Sequence, residues 1–393
     1  VERKIALLNQ YVLPAIRRGE CSDFRWLHDA FSSELGPCLV NALLYVIAAD
    51  AVSIPLELVV VPSHVYLRHR GEGALRNVEV TRSGEHLPER YYQKWISENP
   101  SLINAFPPDD KYLDKLVVTT SRREYTALLL LLNAQRPRGI DKTHALDLAR
   151  RLAPNTMTTL LALGNHCRFE KRFEEARGWY DRAIAASPYV PVLYRERALS
   201  LVLQGRPAQA LDDYDRALEL APRCAPYHLE RALVLQQLER PNLTIQACSS
   251  ALALMPDLAA ARRLRAQGYG SQQDFRLALE DYAYLKSHGQ SEPADSVFEG
   301  LFRLGAGDLE LAGENFERAI EAVPRNPLAW RGRGLYFRMK KQYPEAIKDF
   351  SKAIELDSTD PELYLLRAKA YAAIGDDARS TSDVERATQL RNK

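Results

Sequence analysis

The 393-residue chain has almost no charge of one sign to spare: 53 lysines and arginines against 51 aspartates and glutamates leave a formal net charge of +2. That balance gives no electrostatic case for nucleic acid or an anionic membrane surface, both of which reward a basic stripe. Cysteine is scarce. Cys21, Cys38, Cys167, Cys224 and Cys248 are an odd, widely spaced set with no C-x-x-C pair. A disulfide framework is disfavoured, and reduced thiols in a cytoplasmic compartment are expected. Long hydrophobic runs are missing too, since the longest, Leu39 to Val61, is broken by Asn41, Asp50 and Glu57. No signal peptide is visible, although opening at Val1 without a methionine leaves room for an upstream targeting segment or anchor. There is no G-x-S-x-G, Walker loop, dinucleotide fingerprint or H-E-x-x-H, so neither a cofactor nor a metal is expected.

What is present begins with a repeat. Steps of 34 from Pro154 meet Pro188, Pro222, Pro256, Gln290, Pro324 and Ser358. Twelve residues before these stand Ala176, Ala210, Thr244, Ala278, Ala312, Ala346 and Ser380, all small. The eighth place of each repeat reads Gly164, Ala198, Ala232, Ala266, Gly300, Gly334 and Ala368, with Tyr180, Tyr214, Tyr282, Phe316 and Phe350 as fillers. Small residues let two antiparallel helices approach closely, and rings fill the space beside them. The length and the order of small, aromatic and proline positions resemble the tetratricopeptide repeat. Seven repeats starting near 157, 191, 225, 259, 293, 327 and 361 then account for residues 157–393, an all-α solenoid.

Charges follow the same period. Arg197, Arg265, Arg333 and Arg367 each precede Asp213, Asp281, Asp349 and Asp383 by sixteen residues, which predicts an ion pair across each helical hairpin. The stretch 285–292 replaces alanine and proline with bulk and flexibility, so the array is expected to bend or loosen between its fourth and fifth repeats. Residues 121–156 fit the period poorly and read as a helical connector that caps the first repeat. The fifth place reads Leu161, Arg195, Leu229, Arg263, Val297, Arg331 and Leu365. In tetratricopeptide proteins the first helices line the binding groove. The resemblance therefore implies a peptide or protein partner carrying acidic residues between apolar ones, met by Arg195, Arg263 and Arg331.

The first 120 residues have another texture. Leu39, Leu43, Val46 and Ile47 recur at helical spacing after Pro37, which places Cys38 at a helix N-terminus. There the helix dipole favours a thiolate. β-branched runs at 58–61 and 65–67 and the run 76–80 predict strands around a Gly71-Glu72-Gly73 turn. A turn pairing Arg70 with Gly73 would set His64 opposite Glu79, giving nucleophile, base and orienter in order. Asn77, on the same strand face, is the next candidate for the third member.

Gly36-Pro37-Cys38, Pro62-Ser63-His64 and Asn77-Val78-Glu79-Val80-Thr81, followed by Gly84, resemble the transglutaminase-like superfamily of papain-type cysteine enzymes, bacterial members above all. The resemblance covers roughly residues 5–110 and implies an α+β domain over 1–120. It also implies hydrolysis or acyl transfer at a peptide or isopeptide amide, with Cys38 attacking, His64 moving the proton and Glu79 holding the imidazole. Better-known triads of the family end in aspartate, one methylene shorter than Glu79. The alternative is a non-catalytic adaptor that keeps the domain as a docking platform.

Overall fold

The computed structural model describes residues 141–392, Ala127 and Leu131, and the backbone of five strands between residues 56 and 120. The chain forms two compact bodies, Val1–Tyr227 and His228–Lys393. Cys38 and the helix expected to follow Pro37 lie outside the described residues.

The strands are β1 (Leu56–Val61), β2 (His64–Gly71), β3 (Ala74–Glu79), β4 (Glu85–His86) and β5 (Val118–Thr120), an antiparallel sheet in the order β4-β3-β2-β1-β5. The register of the β2–β3 hairpin corrects the expected one. Gly71 pairs with Ala74 and Leu67 with Val78, so one further step sets Glu79 level with Tyr66 rather than His64. The alternation of side chains along the strands is satisfied equally by any even shift, so the pattern by itself does not distinguish the two registers.

The remaining described chain is helical. A helix α1 (Lys142–Leu152) starts at Asp141, whose side chain accepts from the His144 N–H at 2.9 Å. Seven hairpins follow: α2 (Met157–Phe169) with α3 (Phe173–Ala186), α4 (Pro191–Leu203) with α5 (Pro207–Leu220), α6 (Ala225–Gln237) with α7 (Pro241–Leu254), and α8 (Ala259–Ser271) with α9 (Phe275–Ser287). The last three pair α10 (Asp295–Gly305) with α11 (Leu309–Ala322), α12 (Pro327–Met339) with α13 (Tyr343–Leu356), and α14 (Pro361–Ala373) with α15 (Asp377–Arg391). Proline opens α4, α5, α7, α12 and α14, where its missing N–H costs nothing.

Each hairpin turns in the same way, and the sequence pattern hides it. The fifteenth residue of every repeat has a positive φ: Lys171, Gly205, Glu239, Gln273, Gly307, Lys341 and Gly375. The next N–H reaches back to a carbonyl five residues earlier, as from Arg206 to Leu201 at 2.9 Å and from Gln342 to Phe337 at 2.9 Å. That bond closes the helix end with a left-handed cap. Only three of the seven positions are glycine, so the turn is imposed by packing of the two helices rather than by local propensity.

Inside the hairpins, Tyr180, Tyr214, Tyr282, Phe316 and Phe350 are fully buried. The small eighth residue is a steric need: a Cβ on Gly164, Gly300 or Gly334 would stand 2.5, 2.7 or 2.6 Å from the ring of Tyr180, Phe316 or Phe350. Ala127 and Leu131 bury against Leu146, Ala149, Ala153 and Leu163, an apolar contact that covers one side of the first hairpin.

The junction between the fourth and fifth repeats, where a bend or loosening is expected, is bridged by side chains of α8. Arg263 on α8 ties the connecting loop down, donating to Asp295 at 2.8 Å and to the Gln290 carbonyl, and pairing with Glu292 at 2.9 Å. Phe302 packs beside Tyr282, Phe275 and Phe298, and a Cβ on Gly270 would fall 2.2 Å from its ring. Bulk at Leu285, fully buried, thus fills the junction instead of prising it open.

Candidate partner-binding face

The periodic charges resolve into clamps. Arg197 grips Asp213 with both arms at 2.8 and 2.5 Å, Arg265 grips Asp281 at 2.9 and 2.7 Å, Arg333 grips Asp349 at 2.7 and 2.9 Å, and Arg367 grips Asp383 at 2.8 and 2.8 Å. These hydrogen bonds are the largest cause holding each guanidinium above its ordinary range. The aspartates are buried, so a two-armed, charge-assisted pairing is what their desolvation requires. Beyond the expected pair, three arginines also reach the preceding second helix. Arg197 meets Asp181 at 2.6 Å, Arg265 meets Ser249 at 3.2 Å and Arg367 meets Ser351 at 3.0 Å. One residue therefore fastens two consecutive second helices, which the sixteen-residue spacing alone does not reveal. In the fifth repeat Glu299 and Asn315 hold these two places. Burial pushes the Glu299 carboxyl above the usual range, ahead of the opposing pull of Arg318, Lys286 and Arg303.

Two of the fifth-place arginines, Arg263 and Arg331, reach toward the next first helix. Arg263 is committed to Asp295, a carboxylate only 3% exposed, at the start of the next first helix. Arg331 stands 3.8 Å from Asp360, the residue that caps α14. Arg195 pairs with Glu196 at 2.7 Å, and Glu196 also holds Arg168 at 2.8 Å. Val297, placed in the same row, is buried. Asn165 accepts from the Tyr180 hydroxyl at 2.8 Å, so its oxygen serves the hairpin.

What the first helices leave open is apolar and cationic. Leu233 on α6 is 50% exposed, Leu328 and Met339 on α12 are 42% and 49% exposed, and Lys369 on α14 is exposed. In the first body a cleft of about 530 Å³ lies at the hairpin turns beside Phe173 and Gln204, but Arg172–Glu175 at 2.6 Å and Arg206–Glu174 at 3.4 Å already neutralise most of its charge.

The described thiols are poor nucleophiles. Cys167, Cys224 and Cys248 are buried, and burial pushes Cys248 up to about 12 and Cys167 upward. His64 and Glu79 are placed by backbone alone: His64 opens β2 opposite Val61, and Glu79 closes β3 opposite Glu85. They occupy neighbouring strands at the hairpin end away from the 72–73 link, two register positions apart. An even offset keeps them on positions of one sheet face.

Comparisons agree with the helical part. Residues 191–224 and 144–191 match models described as tetratricopeptide repeat, and 336–375 match one described as TPR repeat. No curated protein matches the chain. A tetratricopeptide repeat protein from Parabacteroides merdae is similar in structure with a TM-score of 0.55 at 18% identity, over 60% of this chain and 93% of that one. The C-terminal part of a TPR repeat-containing protein from Cytophaga hutchinsonii gives 0.42 at 14% identity over 58% and 93%. A thermophilic TPR protein from Thermus thermophilus gives 0.39 at 19% over 43% and 92%. Identities this low speak for the fold alone. The C-terminal region is thus an all-α tetratricopeptide-repeat solenoid, with fifteen helices among the described residues. Such repeats imply a role in protein–protein interaction. No helix among the described residues is long and apolar enough to cross a membrane.

Proposed function

We propose that the protein is an adaptor whose first helices hold an extended or helical segment of a protein partner. The observation that carries this reading is a division of labour along the repeats. Buried two-armed clamps fix the second helices, and Leu233, Leu328 and Met339 are exposed on the first helices, where burial against a partner would stabilise a complex; Leu243, Leu311 and Val384 are exposed on second helices as well. Arg331 lies on α12 with Leu328 and Met339, and Arg195 lies on the first helix α4 of the other body. Arg263 belongs to the junction and contributes by holding it rigid. The test places a photo-crosslinking amino acid at Leu365 on α14, or at Lys352 on the outer side of α13, in the full chain in its native cell. Crosslinks to the same defined proteins from Leu365 and none from Lys352 are expected. Equal capture from both sites, or from Lys352 alone, refutes the face.

A second reading is supported by the placement of His64 and Glu79 on one face of adjacent strands and by the motif likeness around Cys38. In it the N-terminal α+β, transglutaminase-like domain uses Cys38 to attack an amide carbonyl of the recruited partner, by hydrolysis or acyl transfer. In this reading His64 takes and returns the proton, and Glu79 orients the ring. The test is alkylation of Cys38 across pH. A reactive triad labels well below the roughly 8.5 of a free thiol, and His64→Ala raises the profile. Labelling only above that value, with no change in the variant, leaves the adaptor alone standing.

A further inference from the structure

We propose that Arg338 and Lys369 form an anion subsite on the first-helix face of the last two repeats, taking a glutamate or aspartate side chain of an extended acidic peptide. The inference rests on the adaptor reading and names which part of the partner is recognised, and where.

The twelfth residue of one repeat lies next to the ninth of the following one, as the hydrogen bond from Gln236 Nε2 to Gln267 Oε1 at 2.5 Å, thirty-one residues apart in sequence, demonstrates. Of the other twelfth places, Val202, Gly270, Leu304 and Ala372 are uncharged, Gln236 meets Gln267, and Arg168 pairs with Glu196, the sixth residue of the following repeat, at 2.8 Å. In the last junction the same two places hold Arg338 and Lys369, two cations on helices α12 and α14 that touch each other.

Neither cation is compensated. Neither has an ion pair among the described residues, and the Arg338 Nε is buried with no acceptor. The acids that flank α14 are engaged elsewhere: Asp360 caps α14 and faces Arg331, Glu362 faces Arg391 at 3.7 Å, and Asp376 caps α15. The dipole of α12 accounts for one cation in its last turn. It does not account for Lys369, a full turn before the end of α14, nor for two like charges in places that elsewhere carry partners. A carboxylate between them would neutralise both charges. Leu335 beside Arg338 and the exposed Met339 supply the apolar flank for residues on either side of the acid.

The experiment measures fluorescence anisotropy of the full chain at low salt with two dye-labelled peptides. One carries glutamates spaced between leucines and serines, and the other has each glutamate replaced by glutamine. The acidic peptide is expected to bind about tenfold more tightly, an advantage that shrinks as salt rises. Arg338→Gln with Lys369→Gln should remove that advantage while leaving the glutamine peptide unaffected. Lys348→Gln with Lys352→Gln, the same charge change on the outer side of α13, should leave it intact. Equal binding of the two peptides, or an acidic preference that survives the Arg338 and Lys369 substitutions, overturns the subsite while sparing the adaptor reading. Binding of neither peptide overturns both.

Discussion

Removing one partner of the Arg333–Asp349 clamp should cost far more from the arginine side than from the aspartate side. Asp349 is 1% exposed, whereas the Arg333 side chain keeps 21% of its surface in water. Arg333→Met strands a carboxylate with no water and no donor, a loss of about 3–5 kcal/mol for a buried pair. It also removes the guanidinium that lies 4.9 Å from the Trp330 ring centre and 5.8 Å from that of Phe337. Asp349→Ala leaves an arginine that can swing toward solvent, so about 1–2 kcal/mol is the scale. The combination of Arg333→Met with Asp349→Leu replaces the pair by apolar bulk and should cost less than Arg333→Met alone. Repeat arrays do not unfold as a single two-state unit, so a global midpoint is the wrong readout. Hydrogen exchange of α12, α13 and α14 under native conditions reports the local opening free energy. The reasoning is refuted if Asp349→Ala costs as much as Arg333→Met, or if the double variant shows the sum of the singles.

Three further outcomes follow from named contacts. Gly332→Ala should destabilise the sixth repeat by about 2 kcal/mol, because the new Cβ would stand 2.3 Å from the buried Phe316 ring. Gly178→Ala, with nothing within 4 Å, should gain about 0.5–1 kcal/mol from helix propensity, and native-state hydrogen exchange of α12 and of α3 separates the two. Glu299 has a folded pKa raised by burial, so the folded state binds more protons than the unfolded one. Its cost is absent below the unfolded carboxylate value, and grows as pH rises until it is complete above the folded value. Local protection of α10 and α11, corrected for intrinsic exchange, should rise as pH falls through that window, and Glu299→Gln should flatten the trend. Arg263→Gln should loosen α10 in exchange measurements more than Arg331→Gln loosens α14, since Asp295 is 3% exposed whereas the Asp360 side chain keeps 29%. Equal effects would place Arg263 outside the junction.

The period of 34 residues, the small residues that face each ring, and the sixteen-residue spacing of arginine and aspartate were all legible in the chain, because repetition turns local packing rules into visible spacing. Helix starts at 157, 191, 225, 259, 327 and 361 follow that spacing directly. The fifth hairpin departs, starting at Asp295, because Arg263 pulls this carboxylate into the junction. The β2–β3 register differs from the expected one by two residues, because alternation of side chains is satisfied equally by any even shift.

Sequence by itself determined that a helical-hairpin array exists, where its turns fall and which residues pair within a hairpin, since each of these depends on neighbours less than one repeat away. Tertiary structure alone decided which charges remain for a partner. Arg263 and Arg331 occupy the same place in the repeat, yet one is satisfied by three groups of the next loop and the other stands 3.8 Å from a single carboxylate. Burial and the identity of the acceptor across a repeat boundary set that difference, and neither is written in the local pattern.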